Sequence, residues 1–446
     1  MEQQHMFTNR MIRNLLVPVV LEQILNSIMG TADTMMVSNV GSAALSAVSL
    51  VDSINILLIQ AFSALAAGGA IVCAQYIGQK NYEKANMSAR QVLFIITAIS
   101  VAVSAACLIF QKPLLRLIFG AVEADVMHAS ETYFFYTALS FPFIASYDAA
   151  ASIFRAQENT KGPMIISMIS NIMNIGGNAI LIWVFHLGVA GAAISTLVSR
   201  IFCAVVVLYQ LRKDRQPIVV RDYLKIRPDW SMIGRILGLG IPSGIENSMF
   251  QLGKLAIQST VSTLGTAAIA AQAMTNILEN LNGIAAIGVG VGLMTIVGQC
   301  LGAGRKDEAV YYIKKLCVIA EIVIIVSCLI VYALARPVTI LGGMEKSSAA
   351  MCIHMITWIT IVKPLVWTMA FVPGYGLRAA GDVKFSMITS CCTMWACRFC
   401  LCVFLIRVLG FGPMGVWIGM FADWTVRGII FTWRFHSRRW LEHKVI

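Results

Sequence analysis

Apolar residues run through this chain in long blocks, separated by short polar or glycine-containing punctuation. A block of about 20 apolar residues is enough for one helix to cross a bilayer. Twelve blocks satisfy this and are expected as helices near 15–38, 45–72, 91–111, 130–153, 163–184, 189–210, 233–262, 267–298, 312–335, 350–375, 385–407 and 413–433. Pro163 to Ser199 contains no charged residue at all. That stretch spans one helix, a short turn at His186-Leu187-Gly188 and most of the next helix. The expected fold class is therefore an all-α polytopic membrane protein with 12 transmembrane helices.

Composition removes the alternatives. Of 446 residues, 58% are hydrophobic and only 13% charged, about half the roughly 25% of a soluble domain. So few charges cannot coat the surfaces of the soluble domains that this length would form. The chain is also too apolar to stay disordered. The polar, amphipathic start MEQQHMFTNRMIRN carries no pattern of a cleavable signal.

The few charges are unbalanced, 34 Lys+Arg against 22 Asp+Glu, for a net of +12. Their positions explain the excess. If the N-terminal side is inside, 24 basic residues fall in inside segments, five in the opposite loops and five within spans, at Arg200, Lys254, Lys363, Arg398 and Arg427. This asymmetry places both termini in the cytoplasm, and an even number of helices agrees. The basic excess thus reads as orientation and implies no nucleic-acid partner.

An internal repeat divides the chain. At an offset of 224, Pro18-Val-Val-Leu-Glu22-Gln23 matches Pro242-Ser-Gly-Ile-Glu246-Asn247, and Val40-Gly41-Ser-Ala-Ala matches Leu264-Gly265-Thr-Ala-Ala. Gln75-Tyr-Ile-Gly78 likewise matches Gln299-Cys-Leu-Gly302. The chain is therefore expected to hold a duplicated six-helix unit. Residues 1–210 form an N-terminal bundle, 211–232 a basic cytoplasmic linker and 233–446 a C-terminal bundle. Six is even, so the repeats are parallel, an arrangement typical of secondary transporters that alternate access.

Charged groups inside spans are costly and mark function by default. Asp33 stands out, in Gly30-Thr-Ala-Asp33-Thr34 with Asn26 nearby. A carboxylate among hydroxyls and amides suits a proton or a hard cation such as sodium, while the structural alternative is a helix-capping role. Its repeat mate is Ile257, so the halves are chemically unequal there. Asn174 and Asn178 share a helix face, and Thr196 in the next span is placed to join them. Buried amides also simply hold helices together. Glu22 and Glu246 each follow a span proline, Pro18 or Pro242, where the helix is expected to bend. Asp52-x-x-Asn55 corresponds to Asn276-x-x-Glu279 by the repeat, which reads as matched sites with one acid each or as helix-packing bonds. Asp148, Glu321 and Asp423 lack repeat partners, Asp382 lies in a loop, and Asp423 with Arg427 forms an i,i+4 pair suited to a structural role.

No cofactor chemistry is visible. Twelve cysteines lie scattered in apolar runs, and Cys397-x-x-Cys400 has no second pair or His beside it to make a metal site. No phosphate-cradling loop or metalloprotease motif appears, so neither ATP drive nor an enzyme is expected.

At this point the residues resemble the multidrug and toxic compound extrusion (MATE) transporters. Pro18, Glu22 and Asp33-Thr34-x-Met36-Val37-Ser38-x-Val40-Gly41 look like that family's first-helix signature. Gln75-x-x-Gly78 and Gln299-x-x-Gly302 are similar to its loops after the second and eighth helices. Arg155-Ala-x-x-Asn159-Thr-Lys161 and Arg378-Ala-x-Gly381-Asp382-x-Lys384 are similar to those after the fourth and tenth. The resemblance covers essentially the whole chain and points to the DinF-like branch or a bacterial group beside it. It implies two six-helix bundles in a V shape, acting as a monomer, that export cationic or amphipathic drugs in exchange for protons or sodium. It also implies that Asp33 binds the coupling ion, that Pro18 is the bending proline, and that Tyr133, Asn174 and Thr196 are polar neighbours of the acid. One position departs from the family. Its fifth-helix Asn-x-x-x-Asp reads Asn174-Ile-Gly-Gly-Asn178 here, so a second carboxylate is missing. Glu246 also lies one turn nearer its proline than the seventh-helix Glu of the NorM-like branch. Two rival functions are a lipid-linked oligosaccharide flippase, expected to show more spans and a cationic central cavity, and an integral membrane enzyme.

Overall fold

The computed structural model describes residues 5–213 and 215–446; the first four residues of the polar start and Asp214 of the expected linker lie outside the described residues. Among the described residues every regular element is helical. The first half contains α1 (Asn9–Ser38), α2 (Ser42–Gly78), α3 (Tyr82–Ile109), α4 (Gln111–Phe119), α5 (Ala124–Leu139), α6 (Phe141–Ala156), α7 (Lys161–Asn178) with a π-helical continuation Ala179–Val184, and α8 (Val189–Leu211). The second contains α9 (Trp230–Val261), α10 (Thr266–Gly302), α11 (Lys306–Leu341), α12 (Lys346–Ala379), α13 (Val383–Cys392) with a π-helical stretch Thr393–Cys400, α14 (Leu401–Arg407) and α15 (Met414–His436). Among the described residues nine helices, with each π-helical continuation counted in its parent helix, are long and apolar enough to cross a membrane. The other expected spans are helical as well, at α5 with α6, α9 and α15.

Two details depart from the expected pattern for local physical reasons. The expected span 130–153 is two helices that meet at Ser140. Pro142, just beyond the break, lacks a backbone N–H and crowds the residue before it. The loop expected after 111 instead opens with α4, which buries Leu115 while leaving Leu117 and Ile118 exposed.

The duplication is visible in the elements. α2 and α10 start and end at repeat-equivalent residues, each 37 residues long. Each is preceded by a glycine at positive φ, Gly41 at 146° and Gly265 at 97°, a backbone region that side-chain-bearing residues rarely enter. Both halves also place a π-helical stretch in the fifth span, Ala179–Val184 and Thr393–Cys400. Such stretches are rare and concentrate at functional sites.

Tertiary contacts group the chain into two units. One comprises Met1–Ile24 with Ile245–Val445; the other comprises Leu25–Gly244. The reason lies in small residues at helix crossings. In the second unit, a Cβ on Gly68 of α2 would stand 2.7 Å from the backbone nitrogen of Gly240 of α9. In the first, a Cβ on Gly292 of α10 would meet Leu16 of α1 at 2.3 Å. Gly68 and Gly292 are repeat mates, as are Leu16 and Gly240, so the same crossing is built twice. Close backbone approach through small residues is the usual way for membrane helices to pack. Gly30, by contrast, has nothing within 4 Å of where a Cβ would stand. Gly68→Ala is therefore expected to cost about 1–3 kcal/mol through overpacking, while Gly30→Ala leaves stability unchanged or slightly raised; thermal unfolding of the purified variants in detergent checks the pair.

The first unit has an apolar core where the start of α1 meets α10, α11, α12 and α15, including Leu15, Leu293, Tyr312, Leu316, Trp424 and Phe431. In the second unit α2 packs on α3, α5 and α6, and α8 packs on α5, α6 and α7.

Candidate ion-coupling site

In the Leu25–Gly244 unit, six helices, α1, α2, α5, α6, α7 and α8, bring polar groups together. Asp33 on α1 is half-buried and accepts a hydrogen bond from Asn178 Nδ2 at the end of α7. Asn178 is fully buried, and its Nδ2 also lies 3.5 Å from Asn174 Oδ1. Asn174 Nδ2 donates to Thr196 Oγ1 of α8 at 3.3 Å. Ser195 beside it donates to the Asn174 carbonyl at 2.8 Å. The expected group Asp33, Asn178, Asn174 and Thr196 is thus one hydrogen-bonded chain. Asn178 is the last residue before the π-helical turn, where the change of winding redirects the backbone just after its side chain.

A second carboxylate comes from α2. Asp52 Oδ1 accepts from Asn55 Nδ2 at 3.3 Å and from Tyr133 Oη of α5 at 3.1 Å. Asp33 lies within electrostatic reach of Asp52, and both lie within reach of Arg200 on α8, along with Asp148. Arg200 itself donates to Ser140 Oγ at 2.7 Å, and Asp148 accepts from Ser63 Oγ at 2.6 Å. Three carboxylates thus lie within the field of one guanidinium.

The two amides behave alike. Each gives its N–H to a carboxylate, and each keeps a carbonyl oxygen, Asn178 Oδ1 and Asn55 Oδ1, buried with no partner among the described residues. A buried acceptor costs free energy unless something donates to it. Amide oxygens left in this state beside carboxylates suit a proton or a hard cation. Asn26 is held separately, its Oδ1 accepting from Ser167 Oγ at 2.8 Å and Asn171 Nδ2 at 2.7 Å.

The remaining expected residues lie in the other unit. Glu22 is buried there. Glu246 pairs with Arg378 at 2.8 Å and accepts from Ser386 at 3.3 Å. Glu279 pairs with Lys363 at 2.6 Å. Asn276 accepts from Gln272 at 3.3 Å. The repeat-matched pairs therefore differ: Asp52 and Asn55 bond each other, while Glu279 and Asn276 turn to separate partners. Asp423 meets Arg427, as its spacing suggested, and also Arg398 at 2.7 Å. Asp382 pairs with Arg434 at 2.7 Å. Pro18 and Pro242 both sit inside continuous helices. Apart from Arg427, the basic residues within spans drew no assignment from the sequence, although a cation costs as much in that setting as an acid.

Comparison with known proteins places these features. The MatE family model matches twice, over residues 18–180 and 242–404, the second match lying 224 residues after the first. The chain is 25% identical to the probable multidrug resistance protein YoeA of Bacillus subtilis (strain 168), over 96% of this chain and 94% of that protein. It is 24% identical to the probable multidrug resistance protein NorM of Thermotoga maritima, over 97% of this chain and 93% of that one. An outward-facing structure of a multidrug resistance MATE family transporter of the MOP superfamily has the same fold, with a TM-score of 0.90 at 19% identity over 97% of this chain and 96% of that one. With both halves matched, duplicated first-helix prolines and a polytopic helical fold, this chain is a member of the MatE family, a multi-pass membrane transporter.

Proposed function

We propose that the chain is a secondary active multidrug efflux antiporter that exports cationic or amphipathic compounds in exchange for protons or sodium ions. One observation carries this reading: Asp33, in a helix long and apolar enough to span a membrane, is held by an amide whose own carbonyl oxygen has no partner among the described residues. An external proton or sodium ion neutralises Asp33 and satisfies that oxygen. The neutral site no longer needs Asn178 as its donor, and the linked groups Asn174 and Thr196 carry the change into α7 and α8. The charge near Asp52 and Tyr133 changes with it, lowering affinity for a cationic substrate. The family membership and the multidrug resistance names of the relatives support export. The 24-to-5 distribution of basic residues supports cytoplasmic termini. No step of this cycle requires a cofactor, a partner subunit or a chemical reaction on the substrate.

The test is dye accumulation in an expression host stripped of its own exporters. Cells producing the chain are expected to hold less ethidium than control cells, and an uncoupler or a sodium ionophore is expected to erase the difference. Equal dye levels in producing and control cells would refute export of cationic compounds.

A further inference from the structure

The Ile245–Val445 unit carries the opposite polarity from the site around Asp33. Phe250 on α9 is ringed by cations: Lys254 Nζ lies 4.9 Å from the ring centroid, Arg398 4.8 Å and Arg427 6.0 Å. Lys363 on α12 is fully buried, pairs with Glu279 and also donates to Asn282 Oδ1. Lys254 and Arg398 both lie within electrostatic reach of Glu279, which joins the groups into one cluster. Four cations here face two carboxylates, Glu279 and Asp423.

The deficit has a place. Glu279 is committed to Lys363, and Asp423 is shared by Arg398 and Arg427. Lys254 is exposed on α9 and has no ion pair among the described residues. Lys254 and one arginine charge are therefore left over in helices expected from the sequence to span the membrane, and for the buried arginine uncompensated charge is expensive. Polar atoms tell the same story independently. Asn282 Nδ2, Trp424 Nε1, Arg398 Nε and Arg427 Nε are buried donors with no partner among the described residues. Near Asp33 the unsatisfied atoms are acceptors; here they are donors. What satisfies donors and surplus positive charge together is an anion, through charge-assisted bonds.

We propose that this unit holds a binding site for the phosphate or carboxylate group of an amphipathic ligand. Lys254 makes first contact, the Arg398 and Lys363 clusters supply the field, and Phe250 meets the ligand's apolar body. The site extends the substrates beyond cations. It does not depend on the coupling role of Asp33, because binding is read with no gradient present.

The test is calorimetric titration of the full chain in nanodiscs with 1-naphthyl phosphate and, as the opposite charge on the same ring, 1-naphthylmethylammonium. In phosphatidylcholine discs the phosphate is expected to bind at least about tenfold more tightly than the ammonium compound. Lys254→Gln weakens the phosphate by about tenfold, the loss of one charged hydrogen-bond donor, and Lys254→Arg keeps it. Lys254 is exposed, so these variants fold, and a thermal melt verifies it. Phosphatidylglycerol discs separate the sources: a weakening that Lys254→Gln no longer shows identifies a lipid headgroup as occupant, and an unchanged titration identifies a soluble amphipath. Equal or tighter binding of the ammonium compound by the unsubstituted chain, or full phosphate affinity in Lys254→Gln, would overturn the proposal.

Discussion

Asp33→Asn is expected to reduce gradient-driven export to the level of protein-free liposomes while leaving the folded protein intact. Asn has nearly the same shape as Asp, and its Oδ1 still accepts from Asn178 Nδ2, so the change in stability should stay below about 1 kcal/mol. What it loses is the ability to be charged at all. A permanently neutral site cannot alternate between an ion-loaded and an ion-free state, so the ion no longer shifts the populations of the two conformations. A substrate gradient is then the only drive left, and the expected signature is dye exchange without uphill export. Asn178→Ala should act in the same direction but less completely, since it removes the donor and the unpartnered acceptor and keeps the carboxylate. Dye transport in reconstituted vesicles, read beside a thermal melt, separates loss of coupling from loss of fold.

The second large effect concerns stability. Asp423 on α15 is fully buried and serves two arginines, Arg398 at 2.7 Å and Arg427 at 2.9 Å, both nearly inaccessible. Removing the carboxylate leaves two guanidinium charges facing each other in a low-dielectric interior. Breaking a buried pair in this way typically costs about 3–5 kcal/mol, because the remaining charge stays buried and uncompensated. Asp423→Asn is therefore expected to lower the melting temperature sharply and to reduce the amount of protein recovered from membranes. Adding Arg427→Gln to Asp423→Asn restores the original net charge of the triad and should recover part of the loss, a non-additivity that thermal unfolding of both single variants and the double variant measures. Additive losses would mean that the three groups do not act as a unit.

Much of this architecture was legible in the chain itself, because the bilayer imposes strong rules. Apolar blocks of spanning length marked twelve helical segments, and the offset of 224 between Gly41 and Gly265 became two helices of equal length with equivalent ends. The hydrogen-bonded chain from Asp33 through Asn178 and Asn174 to Thr196 was also legible, since Asn174 and Asn178 sit four residues apart in a stretch without any charge. Packing decided the rest. The Gly68–Gly240 and Leu16–Gly292 crossings join segments far apart in sequence, and no local periodicity reveals that α1 and α9 each belong to two units. The cations at Lys254, Lys363 and Arg398 were plain in the sequence but entered only as exceptions to a topological count. Their meaning appeared once Phe250, Glu279 and Asp423 were seen among them. The absent second carboxylate in α7 was visible too, yet only the fold shows that Asp52 from α2 lies within electrostatic reach of Asp33 and is held by Tyr133.

The proposed antiport depends on Asp33 converting an ion gradient into export. Purified protein reconstituted into liposomes, loaded with ethidium and given either a proton or a sodium gradient alone, tests this most directly. The unsubstituted chain is expected to move ethidium uphill under at least one of the two gradients, and Asp33→Asn under neither. Uphill transport by Asp33→Asn at the unsubstituted rate would contradict a coupling role for Asp33.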